Sequence, residues 1–233
     1  MMALRSFGVS RRETVLSNGV RLVVFERPGQ PVYLQAAFLA GSRFDPVGRE
    51  GLAHFLEHML VAGTKNFPSK DKLAAFIEQF GGEFSAFTGS EVLSINTAIG
   101  DPTDFKQAVR VLSEAIKYPL MAPKTVETAR GSILRELGDK KSNPERMLWE
   151  VWRRLFFQGT KVGRSTLGTD VTINSISRDD IIRFQSDMLV SGRLALVVAG
   201  GVTLNQAQDL AEANLLVGNS ERFTLEEIYR TPL

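Results

Sequence analysis

Gly51-Leu52-Ala53-His54-Phe55-Leu56-Glu57-His58-Met59-Leu60-Val61 is the stretch on which the reading of this chain turns. Leu52, Phe55, Leu56, Met59 and Leu60 recur at the i, i+3, i+4, i+7 and i+8 spacing, which draws one apolar stripe along a helix. Gly63 can end that helix. Both histidines of the chain lie here, four residues apart, and in a helix that separation stacks them one turn apart on one face. Glu57 falls beside the same face, immediately before His58.

Two imidazoles so placed can reach one zinc ion at about 2.0–2.1 Å. Glu57 is better placed to hold a water than to act as a third ligand, and the order H-x-x-E-H is the inverted zincin motif. A catalytic zinc site keeps three protein ligands and one open position. Zinc makes water acidic enough to attack near neutral pH, and a neighbouring carboxylate can take the proton and return it to a leaving amine. His54, His58 and Glu57 therefore call for a third ligand. The chain has no cysteine and no other histidine, so that ligand is Asp or Glu. The residue types alone leave Glu127, Glu136, Asp139 and Glu145 open.

The 233 residues suit one large domain or two small ones, and hydrophobic and charged shares of 43% and 23% are those of an ordinary globular protein. A net charge of +2 is a weak argument for nucleic acid, despite a pI near 9.0. The absence of cysteine excludes disulfides, thiolate nucleophiles and Cys-based metal sites. No apolar run approaches the roughly 18–20 residues that span a bilayer. The start, Met1 to Arg12, carries Arg5, Arg11 and Arg12 without an acid, a faint organellar-targeting pattern, but it reads better as a terminus before the first strand. The expected location is the cytoplasm, with an organellar matrix as the alternative.

Outward from the motif, Thr14–Leu16 and Val20–Glu26 flank an Asn18-Gly19 turn, and Val32–Ala40 is a third strand. Ser69 can cap a helix that runs to Phe80, before Gly81-Gly82. Phe84–Phe87 and Val92–Ile99 suggest a hairpin. Asp101-Pro102 opens a helix to about Tyr118, a second spans about Lys124–Lys141, and Asn143-Pro144 opens a third to about Phe157. Gln158–Ser175 reads as loop, Ser177 caps a helix over Ile181–Leu189, Leu194–Ala199 is a strand, and Thr203 caps a last helix to Leu216. The expected fold is α+β, a mixed and mainly antiparallel sheet with helices packed on one face. One unit is expected over residues 1–217, with a polar tail or linker at 218–233.

Two other features invite a function. Gly200-Gly201 after a strand faintly suggests a nucleotide site but lacks both G-x-G-x-x-G and the P-loop pattern, so it reads as a tight turn. Trp149, Trp152, Arg153, Arg154, Phe156 and Phe157 mix aromatic and basic residues, as single-stranded nucleic-acid sites do. At helical spacing they read instead as a buried face beside a solvated one.

The chain resembles the pitrilysin, or M16, family of zinc peptidases, to which the mitochondrial processing peptidase belongs. Leu16–Val23, Ala40-Gly41-Ser42-Arg43-Phe44-Asp45, His54-Phe55-Leu56-Glu57-His58-Met59, Gly63-Thr64-Lys65, and Gly81-Gly82 followed by Phe84-Ser85-Ala86-Phe87-Thr88 carry the resemblance. It implies that fold and a zinc endopeptidase acting on unfolded peptides, with Glu57 as the catalytic base. It also implies Glu136, in Arg135-Glu136-Leu137 on a later helix, as the third ligand. The second glutamate that many members carry two turns earlier is replaced by Ala129. Peptides of the family add as a strand to a sheet edge. Glu83–Phe87 matches that edge, with Ser85-Ala86 in place of an Asn-Ala pair, so Ser85, Ala86 and Phe87 are the expected substrate contacts. Members are built from paired halves, and this chain matches the first unit alone. A second subunit or C-terminal half is therefore the implied partner, and a non-catalytic subunit is the alternative function.

Overall fold

The computed structural model describes residues 8–215. The tail expected at 218–233 and the beginning of the basic stretch Met1–Arg12 lie outside the described residues. Six strands form one sheet: β1 (Ser10–Val15), β2 (Arg21–Glu26), β3 (Val32–Phe38), β4 (Glu83–Thr88), β5 (Leu93–Ile99) and β6 (Leu194–Gly200), in the order β1-β2-β6-β3-β5-β4. Every pairing is antiparallel except β2 with β6, which brings Leu22 beside Leu196 and Val24 beside Val198. The sheet is thus mixed and mainly antiparallel, as α+β composition requires.

Alternation along the strands decides which face is covered. Leu22, Val24, Val32, Leu34, Ala36, Phe38, Leu196 and Val198 are buried, while Tyr33 between Val32 and Leu34 is partly open to solvent. The buried face meets α1 (Leu52–Val61), α3 (Phe105–Lys117) and α8 (Leu204–Asn214). Outside α1 lie α4 (Pro123–Ser142), α5 (Pro144–Phe156), α6 (Asp170–Ser175) and α7 (Arg178–Met188), and α2 (Lys70–Glu78) packs beside β4. The helix starts follow their side chains. Ser69, Asn143, Ser177 and Thr203 each accept a hydrogen bond from a backbone N–H in the first turn, and the last two form capping boxes with Asp180 and Gln206.

Two expectations need correction. Gln158–Ser175 is not all loop, because Thr169 and Thr172 form a reciprocal cap that starts α6. The aromatic residues of α5 do not form a buried face. No residue of that helix is buried, and Trp149, Trp152 and Phe156 are 61%, 47% and 68% exposed. The Asp101-Pro102 start is a short 3-10 turn at Pro102–Asp104 that passes into α3.

All five stripe residues of α1 are buried, Phe55 and Leu56 completely. Its start is unusual. Gly51 holds the N-cap position at φ 94°, where a β-carbon would meet the Leu167 carbonyl oxygen at 2.8 Å. With no side chain at Gly51, the orphan N–H groups of the first turn are met by Asp45. Its two carboxylate oxygens accept from Gly51 N and Ala53 N, each at 2.8 Å. Asp45 is buried at 3% exposure. Asp45→Ala leaves two buried donors without acceptors and should cost about 1–3 kcal/mol. Urea unfolding measures this; a loss under about 0.5 kcal/mol would show that water replaces the carboxylate at no cost.

Candidate metal centre

His54 and His58 point from α1 towards α4, where Glu136 is carried between two core residues, Ile133 and Leu137. Glu136 Oε2 stands 3.4 Å from His54 Nε2, and its Oε1 stands 3.2 Å from His58 Nε2. The imidazoles meet edge to face, with centroids 4.7 Å apart. One ligand atom from each residue lies within 4.8 Å of the other two, the one group among the described residues with this geometry. The three side chains singled out from sequence as metal ligands therefore converge.

The donor set fits a zinc-type cation. Ligand atoms arranged tetrahedrally about 2.0–2.1 Å from one ion stand roughly 3.3–3.4 Å from one another. Each Nε2-to-carboxylate distance is near that edge, to a different Glu136 oxygen in each case, and a single ligand atom from each residue comes within 4.8 Å of the others. Burial holds both imidazoles neutral, the form that ligates. It pushes His54 down to about 3, helped by His58 and the Lys140 cation. Burial also lowers His58, against the pull of the Glu136 carboxylate. His54 Nδ1 is buried without a hydrogen-bond partner, so packing orients this ring.

Glu57 shares α1 with the histidines and faces the end of β4. Burial raises its pKa, and the Glu136 charge adds to this, while the hydroxyl and backbone of Thr88 favour the ionised form. Thr88 Oγ1 is itself buried and closes no hydrogen bond of good geometry, so its influence on Glu57 is one of proximity. A carboxyl group with an elevated pKa beside a metal-type ligand set is suited to taking up and giving back a proton.

β4 is an edge strand, paired with β5 on one side only. Ser85 and Phe87 point to the open face, Phe87 at 61% exposure, while Ala86 packs against the core. The backbone expected to receive a peptide thus runs free along one side and ends at Thr88, beside Glu57.

α4 is fixed against α1 by Arg130. Its guanidinium lies 5.3 Å from the Phe55 ring centroid and donates to the carbonyls of Ile173 and Ile176. Ala129 is buried two turns before Glu136, so no carboxylate stands there. Sequence reasoning missed Asp45, Thr88, Arg130 and Lys140. None belongs to a periodic pattern, and only the proximity of Asp45-Pro46 to the motif gave any signal.

With the geometry in place, the comparisons give the class. Residues 23–170 match the family model for insulinase, peptidase family M16, and the chain belongs to that family. It is 33% identical over 200 residues to the mitochondrial-processing peptidase subunit beta of Rattus norvegicus, covering 85% of this chain and 40% of that protein. It is 28% identical to an uncharacterized zinc protease of Rickettsia bellii, over 94% of this chain and 53% of that one. The chain thus spans about half, or less, of the relatives it matches. Solved structures with the same fold include a peptidase M16 inactive domain from Pseudomonas fluorescens (TM-score 0.83, 17% identity, 92% of this chain and 52% of that one). A protease from Helicobacter pylori matches at TM-score 0.83 and 17% identity, over 93% of this chain and 52% of that one.

The shifted histidines set a pH dependence for the metal-free protein. The unfolded state takes up protons near pH 6.5, while folded His54 resists until about 3. Their contribution to stability is therefore complete above pH 6.5 and is lost as pH falls towards 3. Denaturation midpoints of metal-free wild type should drop between pH 6.5 and 4.5 more steeply than those of His54→Leu. Parallel profiles would mean that His54 is not held neutral by burial.

Proposed function

We propose that the chain is the zinc-binding unit of an endopeptidase that hydrolyses unfolded peptides, with His54, His58 and Glu136 as ligands and Glu57 as the base. The observation that carries this reading is the convergence of two neutral imidazoles and a carboxylate, one ligand atom from each within 4.8 Å of the others, with Glu57 on the same helix. Zinc, when bound, supplies the Lewis acid that makes water a nucleophile at neutral pH. Glu57 orients the attacking water, takes its proton and returns it to the leaving amine. β4 holds the peptide by main-chain hydrogen bonds, and its end at Thr88 sets the scissile bond beside Glu57. The relatives named as zinc protease and as processing-peptidase subunit support both metal and reaction class.

A second reading has its own support. The chain covers about half of two solved chains of the same fold, one of them a peptidase M16 inactive domain. On that reading the same unit needs a partner subunit or a second half to close around a peptide and exclude water.

Unstructured peptides incubated with zinc-loaded chain, with and without chelator, separate the two. Chelator-sensitive cleavage by the chain alone supports the first; cleavage that appears only when a family partner is added supports the second. Zinc content decides the ligands. Glu136→Gln should lower zinc affinity by at least the roughly 10–100-fold seen for lost outer-shell partners, and full occupancy would remove Glu136 from the set. Glu57→Gln should keep zinc and lose about 100-fold or more in rate; retained activity would remove Glu57 as base.

A further inference from the structure

Beyond the candidate metal centre, α5 and the end of α4 line an open hollow of about 410 Å³ whose wall includes Lys140, Arg146, Trp149, Glu150, Trp152 and Arg153. Lys140 lies one turn after Glu136 on α4, so the hollow begins where the ligand set ends. Arg153 reaches across it, 2.9 Å from Thr166 Oγ1 and 3.4 Å from Ser90 Oγ. Ser90 follows Thr88 by two residues, so Arg153 links the wall of the hollow to the turn after β4, past the strand end beside Glu57.

The charge of the wall is unbalanced. Glu150 is its one carboxylate, and Glu150 Oε2 is already held by Lys140 Nζ at 2.6 Å and Arg153 Nη2 at 2.9 Å. Three cations thus face one anion, and Arg146 makes no ion pair among the described residues. The two indoles, edge to face at 5.8 Å, offer apolar surface to an aliphatic stem. A carboxylate entering here meets Arg146 and the shared cations in charge-assisted contact, whereas a lysine or arginine side chain meets like charge.

We propose that this hollow is a specificity subsite that takes an acidic side chain of the bound peptide, on the Ser90 side of the scissile bond. The proposal rests on the peptidase reading for its substrate and adds the charge that substrate must carry. Arg146 selects, and the indoles pack against the side chain's methylenes.

The chain contains two tryptophans, both in this wall, so intrinsic emission reports occupancy. Zinc-loaded Glu57→Gln protein is titrated with three ten-residue Ala/Ser/Gly peptides that differ at one central residue, Glu, Gln or Lys. Labelled copies are followed by anisotropy in parallel. The Glu peptide should shift the emission and bind at least about tenfold tighter than the Lys peptide, with affinity falling as salt rises. Arg146→Glu should invert the order, and Arg146→Lys should keep it. Equal affinities, binding that leaves the emission unchanged, or no binding of any peptide overturns the proposal. So does emission that moves with protein concentration alone, which would assign the α5 aromatics to contact with a second copy. Cleavage by wild type without charge preference removes this subsite and keeps the peptidase. Charge-selective binding without chelator-sensitive cleavage, even with a family partner added, removes the peptidase and keeps the charge selectivity of the hollow.

Discussion

The position of the candidate metal centre depends on a carboxylate away from solvent. Asp45 sits in the loop before α1 and receives the first N–H groups of that helix, while burial pushes its own pKa up to about 7. Two opposing demands meet in one side chain. The low-dielectric setting favours the neutral acid, and the unsatisfied donors and the positive end of the helix favour the anion. The geometry shows which demand shapes the structure, since both oxygens are spent on backbone N–H groups. With its start fixed there and its apolar stripe pressed on the sheet, α1 has little freedom to rotate. His54, Glu57 and His58 inherit that rigidity.

The third side chain of the candidate centre, Glu136, comes from elsewhere, and a different kind of interaction brings it in. α4 packs beside α1 and buries Val126, Ala129, Ile133 and Leu137. Arg130 secures it by binding carbonyls at the end of α6 while covering the Phe55 ring. One cation thereby ties three segments together at the level of the histidines. At the far end of α4, Lys140 joins Glu150 of α5 and acts on His54 through space. The site is framed by two cations, one structural and one electrostatic.

How much of this was legible follows from what each residue does locally. The α1 stripe, the caps at Ser69, Asn143, Ser177 and Thr203, and the Gly200-Gly201 turn obey short-range rules, and their residues state them openly. The α6 cap was missed because Thr172 replaces the Glu or Gln that usually completes a capping box. Helical spacing on α5 was read correctly as a helix and wrongly as a buried face. Periodicity tells which residues share a side and is silent on what, if anything, covers it. His54 and His58 needed only each other, whereas Glu136 could be chosen from its acidic neighbours only through family resemblance. Its partnership is tertiary. Asp45 stood in a stretch that carried the resemblance, but its capping role was hidden for the same reason, because a polar residue in a loop gives no hint that it is inside.

The strand order carries one more consequence, for the way the chain is made. β6 lies between β2 and β3 at the centre of the sheet, yet it is the last strand in the described sequence. When synthesis has passed Ser142, all three converging side chains of the candidate metal centre exist, but the sheet beneath them is still split. The β1–β2 hairpin on one side and β3–β5–β4 on the other share no neighbour until Leu194–Gly200 emerges to join them. Such long-range closure is slow in loop entropy and leaves strand edges open while it waits. A nascent chain therefore holds all three side chains of the candidate metal centre before it holds a complete core, and early metal capture on the ribosome would act on a half-built fold.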